Sequence, residues 1–498
     1  MARVVVVGAG VGGLAVAARL AARRHQVTLL EAGDRTGGKL HTWRRDGFAF
    51  DTGPSLLTLP AVYRDLFLKT GGPLEDSVEL EALDPGCTYK FADGTTLAMP
   101  GAGVGLGAEA MGGALGGRAR DDWRTLMERA GRMWALTRRP FLEATLTGPR
   151  NLLPLARNRR ALRTIAPWQT LRGLGRATLT DHRARQVLER CATYAASDPR
   201  RTPAALATIA YVEATFGTWH LAGGLRTLGD ALRARLDERR VQVRLSTPAT
   251  RILLSADRVS GVEIEGGEVL PADVVVANAD ADTVYGKLLG DQAPRAAVRS
   301  LSRATPSHSA FVMMLAVRDV TPGLTHSSVW FPRDPDAELD AIFARHPRPV
   351  PDPTIHACVP DDPAMRPDGA EAWSLHVSAP RHSAGGLRPG TIDWDAPGLA
   401  DSYADRIIAR LADRGTDLTA RILWRELRTP ADLERATGAP GGAIHGTSSN
   451  GARAAFLRPS NASSVPGLFL VGGSAHPGGG LPLVGMSAEI VANLIGRA

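Results

Sequence analysis

The first residues able to do chemistry stand almost at the start of the chain. Residues 4–20 read "VVVVGAGVGGLAVAARL", and within them Gly8, Gly10 and Gly13 hold the spacing Gly-x-Gly-x-x-Gly, with Gly12 beside the last. In that spacing the first glycine permits a tight turn and the second lets the backbone approach a pyrophosphate. The third lets a helix pack closely on a strand. Eighteen positions past Gly13 the run "QVTLLE" ends at Glu31, whose carboxylate suits ribose hydroxyls and repels a 2′-phosphate. Next comes "AGDRTGGKL", with Arg35, the doublet Gly37-Gly38 and Lys39. Near the far end, "LFLVGGSAHPGGGLPLVGMSAEIVANLIG" holds Gly472, Gly473, Ser474 and a loop at 478–480 without side chains, suited to lying against a flat ring system. His476 in that loop, and His220 beside Trp219, read as structural hydrogen-bonders. Trp219 could also wall a greasy channel. No catalytic side chain and no metal site is assigned.

These groups need positioning. Residues 4–7 suit a short buried strand, 8–13 a turn, and 14–24 a helix whose free N–H groups and positive dipole end face the phosphates. At the other end a buried "LFLV" strand runs into the glycine loop, and Pro482 suits the first position of a closing helix. Met486, Ile490, Val491, Leu494 and Ile495 give that helix an apolar face. A secretory signal fits the N-terminus poorly, since Arg3 is the only early charge and the spaced glycines would serve no insertion.

The chain has 498 residues, 44% apolar and 22% charged, which predicts two or three folded units. Cys87, Cys191 and Cys358 lie far apart without a CxxC pair, pointing to a reducing, cytoplasmic setting. No apolar run reaches the roughly 20 residues of a spanning helix, so any membrane contact is expected to be peripheral. The net charge is +8, and residues 144–190 hold ten arginines against Asp181 and Glu189, an excess that equals the whole surplus. Leucines interleave with these arginines, as an interfacial site on the inner face of the cell membrane requires. Nucleic acid is not an expected partner, because Trp168 is the only aromatic in that block and no recognition motif accompanies it.

The glycine doublet after Glu31 resembles the flavoprotein superfamily that includes amine oxidases, protoporphyrinogen oxidase, Rab GDP-dissociation inhibitors and bacterial carotenoid desaturases. Three further stretches are similar to the carotenoid desaturase branch, the phytoene and hydroxycarotenoid desaturases. They are "GFAFDTGPSLLTLP" at 47–60, "YVEATFGTWHLAGGLRTLGDALRARL" at 211–236, and the closing stretch at 467–496. Two departures stand out: Lys39 where the superfamily often has arginine, and Ser474 where it commonly has aspartate.

The resemblance implies an α/β fold: a Rossmann-like FAD-binding domain of the GR2 type, a mixed-sheet substrate domain, and a helical, membrane-facing insertion. The implied FAD domain combines 1–70, 222–290 and 455–498. The substrate domain combines 71–100 and 291–454, and the insertion spans 101–221. FAD would be held by Gly8, Gly10, Gly12, Gly13, Glu31, Arg35, Gly37, Gly38 and Lys39. Gly53, Pro54 and Ser55 would reach toward its ring, and Ala249 would lie near the adenine. Gly473, Ser474, Gly480, Leu481 and Met486 would close the site, the helix N-terminus pointing at the pyrimidine edge. The implied reaction removes two hydrogens from a saturated carbon pair beside a polyene, with a long apolar carotenoid as substrate. A flavin amine oxidase and a non-enzymatic prenyl-lipid carrier on the same scaffold remain alternatives.

Along the rest of the chain the pattern predicts a helix at 225–236 and strands at 241–245, 250–254, 259–263 and 274–277. Substrate-side strands are expected at 310–317 and 372–378. Residues 331–367, with nine of the 34 prolines, read as a long irregular excursion without a buried role.

Overall fold

Four consecutive valines at residues 4–7 offer no polar face, so the first strand must be covered on both sides, as in a parallel sheet between helices. The computed structural model describes every residue except 147, 149, 150 and 152, and in it Arg3–Val7 is the middle strand of a five-stranded parallel sheet. The order is Gln242–Arg244, Gln26–Leu30, Arg3–Val7, Val274–Ala277, Leu468–Leu470. Its strands are drawn from the beginning, middle and end of the chain. Helix Val11–Ala22 buries Leu14, Leu20 and the alanines between them, and packs against helices Arg226–Glu238 and Leu481–Ile495. An antiparallel sheet of Ala249–Ser255, Arg258–Ile264 and Val269–Pro271 covers the opposite face, where Ile252 and Val262 meet Val5, Val7 and Val275.

A second, mixed sheet has seven strands in the order Ile422–Arg428, Ser309–Arg318, Ala370–Ala379, Ile355–Cys358, Ser327–Trp330, Cys87–Lys90, Thr96–Met99. Side chains alternate between its two faces. On one, Phe311, Leu315, Val317, Trp373, Leu375 and Ile355 pack onto Tyr403, Ile407 and Leu411 of helix Leu399–Asp413. The other carries Ser374, His376, His356 and Cys358, and looks toward the strands Phe48–Asp51 and Thr218–Leu221.

The expectation of an irregular, unburied excursion at 331–367 is overturned. The stretch holds a helix, Pro335–Phe343, and the strand Ile355–Cys358, which lies inside the seven-stranded sheet with Ile355 and Ala357 fully buried. The prolines are compatible with this because they stop at Pro353 and resume at Pro360, outside the four residues whose N–H groups serve the ladder.

Between the two sheets in sequence lie the helices Val104–Leu115, Ala119–Thr137, Leu171–Thr178, His182–Tyr194 and Ala207–Phe216, sharing a core of Trp123, Leu126, Met127, Met133 and Leu188. Asp181 caps the fourth of these by accepting from the Arg183 N–H at 2.7 Å. The stretch ends in strand Thr218–Leu221, which pairs with Leu57–Thr58 and Leu80–Ala82. Among the described residues, no helix is long and apolar enough to cross a membrane.

Candidate functional site

The N-terminal glycine turn is built as its spacing predicts. Gly8 holds φ at 97°, and its N–H donates to Leu30 O at 2.7 Å. A Cβ on Gly13 would overlap the Gly8 carbonyl oxygen, so the third glycine is required for the helix to start where it does. Gly10 and Gly37 form a parallel bridge, and a Cβ on Gly38 would stand 3.1 Å from Gly10 Cα. The doublet therefore lies directly on the turn. Glu31 is fixed beside it, its carboxylate accepting from Ala9 N at 2.7 Å and Gly33 N at 2.9 Å. Thr247 N donates to Glu31 O at 2.8 Å, which puts the start of strand Ala249–Ser255, and hence Ala249, at the same edge.

The two ends of the chain meet here. A Cβ on Gly12 would lie 3.0 Å from Gly472 Cα, and Gly472 N donates to Ser487 Oγ at 3.2 Å. Asn461 staples the closing loop, its Nδ2 donating to Leu470 O, His476 O and Ser487 Oγ. Gly480 opens helix Leu481–Ile495 with φ at 104° and empty space where a Cβ would go. Tyr63 holds that helix start through a 2.7 Å bond from its hydroxyl to Leu481 O. Both helix N-termini, at Val11 and Leu481, lack a side-chain cap and an acid in the first turn. Their N–H groups are left for an anionic or electron-rich ligand. Uncapped helix ends, loops without side chains and a fixed carboxylate fit a dinucleotide.

Other expected residues divide. Lys39 Nζ donates to Ala443 O at 3.0 Å and Ile444 O at 2.9 Å, and Gly53 packs against the Lys39 carbonyl so closely that a Cβ would overlap it. Gly473 O accepts from Arg458 at 2.7 Å, and Ser474 Oγ donates to Ala279 O at 3.3 Å. The half-exposed Arg35 side chain lies 3.7 Å from Asp34. Met486 packs with Leu59 and Val62. Pro54 and Ser55 follow strand Phe48–Asp51, and Ser55 borders a small cavity lined also by Asp51, His220 and Ser374.

Sequence reading missed the buried charges. Arg458 also donates to His445 O and Thr447 O. Burial pushes Lys39 down to about 8 and Arg458 down to about 10, with Asp280 the acid that opposes both shifts. Burial raises the Asp280 carboxyl in turn. Asp280 had a signal, since it follows a parallel strand at its C-terminal end, where open α/β sheets bind ligands. Arg458 had none. His445 lies against Gly479 and is held neutral, pushed down to about 3 by burial. His476 is structural as expected: its Nε2 donates to Ala144 O at 3.0 Å and burial lowers it to about 4.

At that cavity, buried Asp51 accepts from Thr42 Oγ1 at 2.9 Å and Leu225 N at 3.0 Å, and burial raises it to about 6. His220 Nε2 donates to Asp362 Oδ2 at 2.9 Å, and the His326 ring stands 4.7 Å from the His220 ring. Trp219 is tied to the main chain through a 2.9 Å bond to Phe216 O.

Comparison with known proteins adds to this geometry. Residues 11–330 match the family described as Flavin containing amine oxidoreductase. The chain is 33% identical to hydroxyneurosporene desaturase of Cereibacter sphaeroides over 99% of this chain and 97% of the relative. It is 29% identical to 4,4'-diapolycopene oxygenase of Methylomonas sp, covering 99% of this chain and 98% of that protein. A solved oxidoreductase from Methanosarcina mazei shares the fold with a TM-score of 0.65 at 16% identity, covering 99% of this chain and 100% of that one.

Proposed function

The chain belongs to the family of flavin containing amine oxidoreductases, and from that premise we propose that it is an FAD-dependent carotenoid desaturase. It introduces C=C bonds into an acyclic or hydroxylated carotenoid. The observation that carries this reading is the 33% identity to a hydroxyneurosporene desaturase over 99% of the chain. That likeness extends over the seven-stranded sheet, three of whose strands lie beyond the 11–330 family match.

FAD, when bound, supplies the two-electron oxidant that dehydrogenation requires. Gly8, Gly10, Gly12, Gly13, Gly37 and Gly38 let the turn and the doublet pack closely so that their backbone would face it, Gly480 would leave it open space, and Glu31 would hold the ribose. Lys39 and Arg458 give the Ser474 side a positive field with Asp280 as counter-charge. A hydrocarbon offers few polar handles, so binding rests on apolar burial and rate on excluding water and fixing the reacting carbons. Supporting an approach from the helical unit, Leu59, Val62 and Met486 form an apolar cluster with Trp134, Val212 and Phe216.

A carotenoid dissolves in lipid, and the proposed entry is peripheral, at the inner face of the membrane, through 144–190. Residues 147, 149, 150 and 152, Arg150 included, lie outside the described residues. Arg172, Arg183 and Arg190 are neutralised by Glu189, Asp181 and Glu213. Arg157, Arg159, Arg160 and Arg163 have no ion pair among the described residues and neighbour the exposed Leu153 and Trp168 in sequence. Each cation near an anionic leaflet contributes about 1 kcal/mol, so flotation with anionic vesicles should exceed flotation with neutral ones.

The decisive experiment supplies the purified, FAD-loaded protein with phytoene and with hydroxylated acyclic carotenoids, and follows products by chromatography and absorption. A lengthened chromophore is expected. Oxygenated products, or hydrogen peroxide formed from simple amines while every carotenoid stays unchanged, would defeat the reading. Gly13→Ala, which forces a Cβ into the Gly8 carbonyl, should cut bound flavin at least about tenfold.

A further inference from the structure

The sheet face turned toward the cofactor side is polar where a pure hydrocarbon would have least use for polarity. Register places His356 opposite His376 and Cys358 opposite Ser374 on that face. Ser327 Oγ lies 3.0 Å from His356 Nε2 and continues the seam. Across from it, Asp51, Ser55, His220 and His326 join Cys358 and Ser374 around a small cavity with space for about one water molecule.

Two polar atoms at this cavity lack a full set of partners. His220 is 2% exposed, and its Nε2 is committed to Asp362. Asp362 also accepts from Gly223 N at 2.7 Å and Ala364 N at 2.8 Å, so it acts purely as an acceptor and the proton sits on Nε2. That leaves His220 Nδ1 as a buried lone pair with nothing donating to it, and Ser55 Oγ is likewise buried, with only the Cys358 thiol beside it. Buried polar atoms are normally satisfied, and an exception calls for a ligand or a water. The pair offers one acceptor and one donor. A hydroxyl answers both, a carbonyl cannot donate to Nδ1, and a hydrocarbon end answers neither.

We propose that this cavity is a subsite for a hydroxyl group borne by the polyene near its reacting carbons, the hydroxyl donating to His220 Nδ1 and accepting from Ser55 Oγ. The proposal rests on the desaturase reading and narrows its substrate class to hydroxylated carotenoids. Ser55 follows directly on the Gly53-Pro54 strap that reaches toward the cofactor ring in that reading. A hydroxyl held there places the nearest saturated carbon pair, rather than the middle of the chain, at the oxidant.

The test compares a hydroxylated acyclic carotenoid with the unsubstituted carotenoid of equal length, using FAD-loaded protein. Two quantities are read: kcat/KM for each, and Kd for each from quenching of tryptophan fluorescence without turnover. Wild type should favour the hydroxylated carotenoid at least about tenfold in both, because a site built to bond a hydroxyl rejects the analogue lacking it. His220→Gln keeps an N–H for Asp362 and removes the Nδ1 lone pair, so that preference should fall toward one. Ser55→Ala should lower it about threefold, and it decides the matter if His220→Gln fails to fold. Equal affinity for the two carotenoids in wild type, as expected if the cavity holds only an ordered water, overturns the subsite. So does a His220→Gln variant that weakens both carotenoids in the same proportion. If neither carotenoid is turned over, the desaturase reading falls, and the ratio of the two Kd values still decides whether the subsite exists.

Discussion

Along strand Ala370–Ala379, Trp373 and Leu375 are fully buried against helix Leu399–Asp413, while on the other face Ser374 lines a cavity with Asp51 and His220 and His376 lies opposite His356. Both faces are largely removed from water, so burial does not separate them. Polarity does: one face is packed by apolar side chains, with only Trp330 Nε1 and Tyr403 Oη as polar atoms lacking partners, and the other carries His376, whose Nε2 is buried without a partner, and looks toward His220, whose Nδ1 has none either. The pleat thus lets a single strand hold the fold together on one side and keep unsatisfied groups for a ligand on the other. Substitutions on the first face should change stability, and those on the second should change titration and selectivity.

The largest effect is expected from Trp373→Ala. The indole is fully buried between Trp330 and the helix side, with ring centroids 6.2 Å apart for the tryptophan pair. Removing it should cost about 3–5 kcal/mol in denaturant unfolding while leaving the ratio of activities toward two carotenoids unchanged. A loss below about 1 kcal/mol would erase the contrast between the faces.

The polar face should carry the pH dependence. Burial pushes His356 down to about 3 and His376 down to about 4. In the unfolded chain a histidine takes up its proton near pH 6.5. Between there and pH 4 the unfolded state therefore binds more protons, and stability falls as pH falls. At about 1.4 kcal/mol per unit of pH, His356 alone accounts for roughly 3 kcal/mol over that window. His356→Gln should flatten the acid limb of a stability profile measured by urea midpoints. An unchanged acid limb would mean that the ring reaches water.

The same contrast marks what was legible beforehand. The glycine turn, Glu31, the doublet and the closing helix were readable because each depends on local spacing, and a turn or a helix start has a sequence signature within a few residues. The polar face was not, because it is assembled from five separate strands and loops. His220 and Asp362 are 142 positions apart, and neither has a neighbour in sequence that announces the pair. Strand Ile355–Cys358 was hidden among prolines, whose density suggests loop even when they fall just outside the ladder.

The smallest of the three effects has the opposite sign and is the sharpest check on the polar face. Asp51 is an acid raised to about 6 by burial, against the bonds from Leu225 N and Thr42 Oγ1 that favour its charged form. Here the folded state holds a proton that the unfolded chain, titrating near 3.8, has already released. Stability from Asp51 is therefore greatest at low pH and is lost as pH rises from about 4 to about 6, the reverse of His356. Asp51→Asn removes the titration while keeping one acceptor and a similar shape. Relative to wild type it should gain about 2 kcal/mol in going from pH 4 to pH 7, with most of the change between pH 4 and 6. If instead the variant loses ground toward neutral pH, Asp51 is stabilised as a carboxylate by its two donors. The polar face would then be a satisfied network, with no surplus of buried groups for a substrate hydroxyl to relieve.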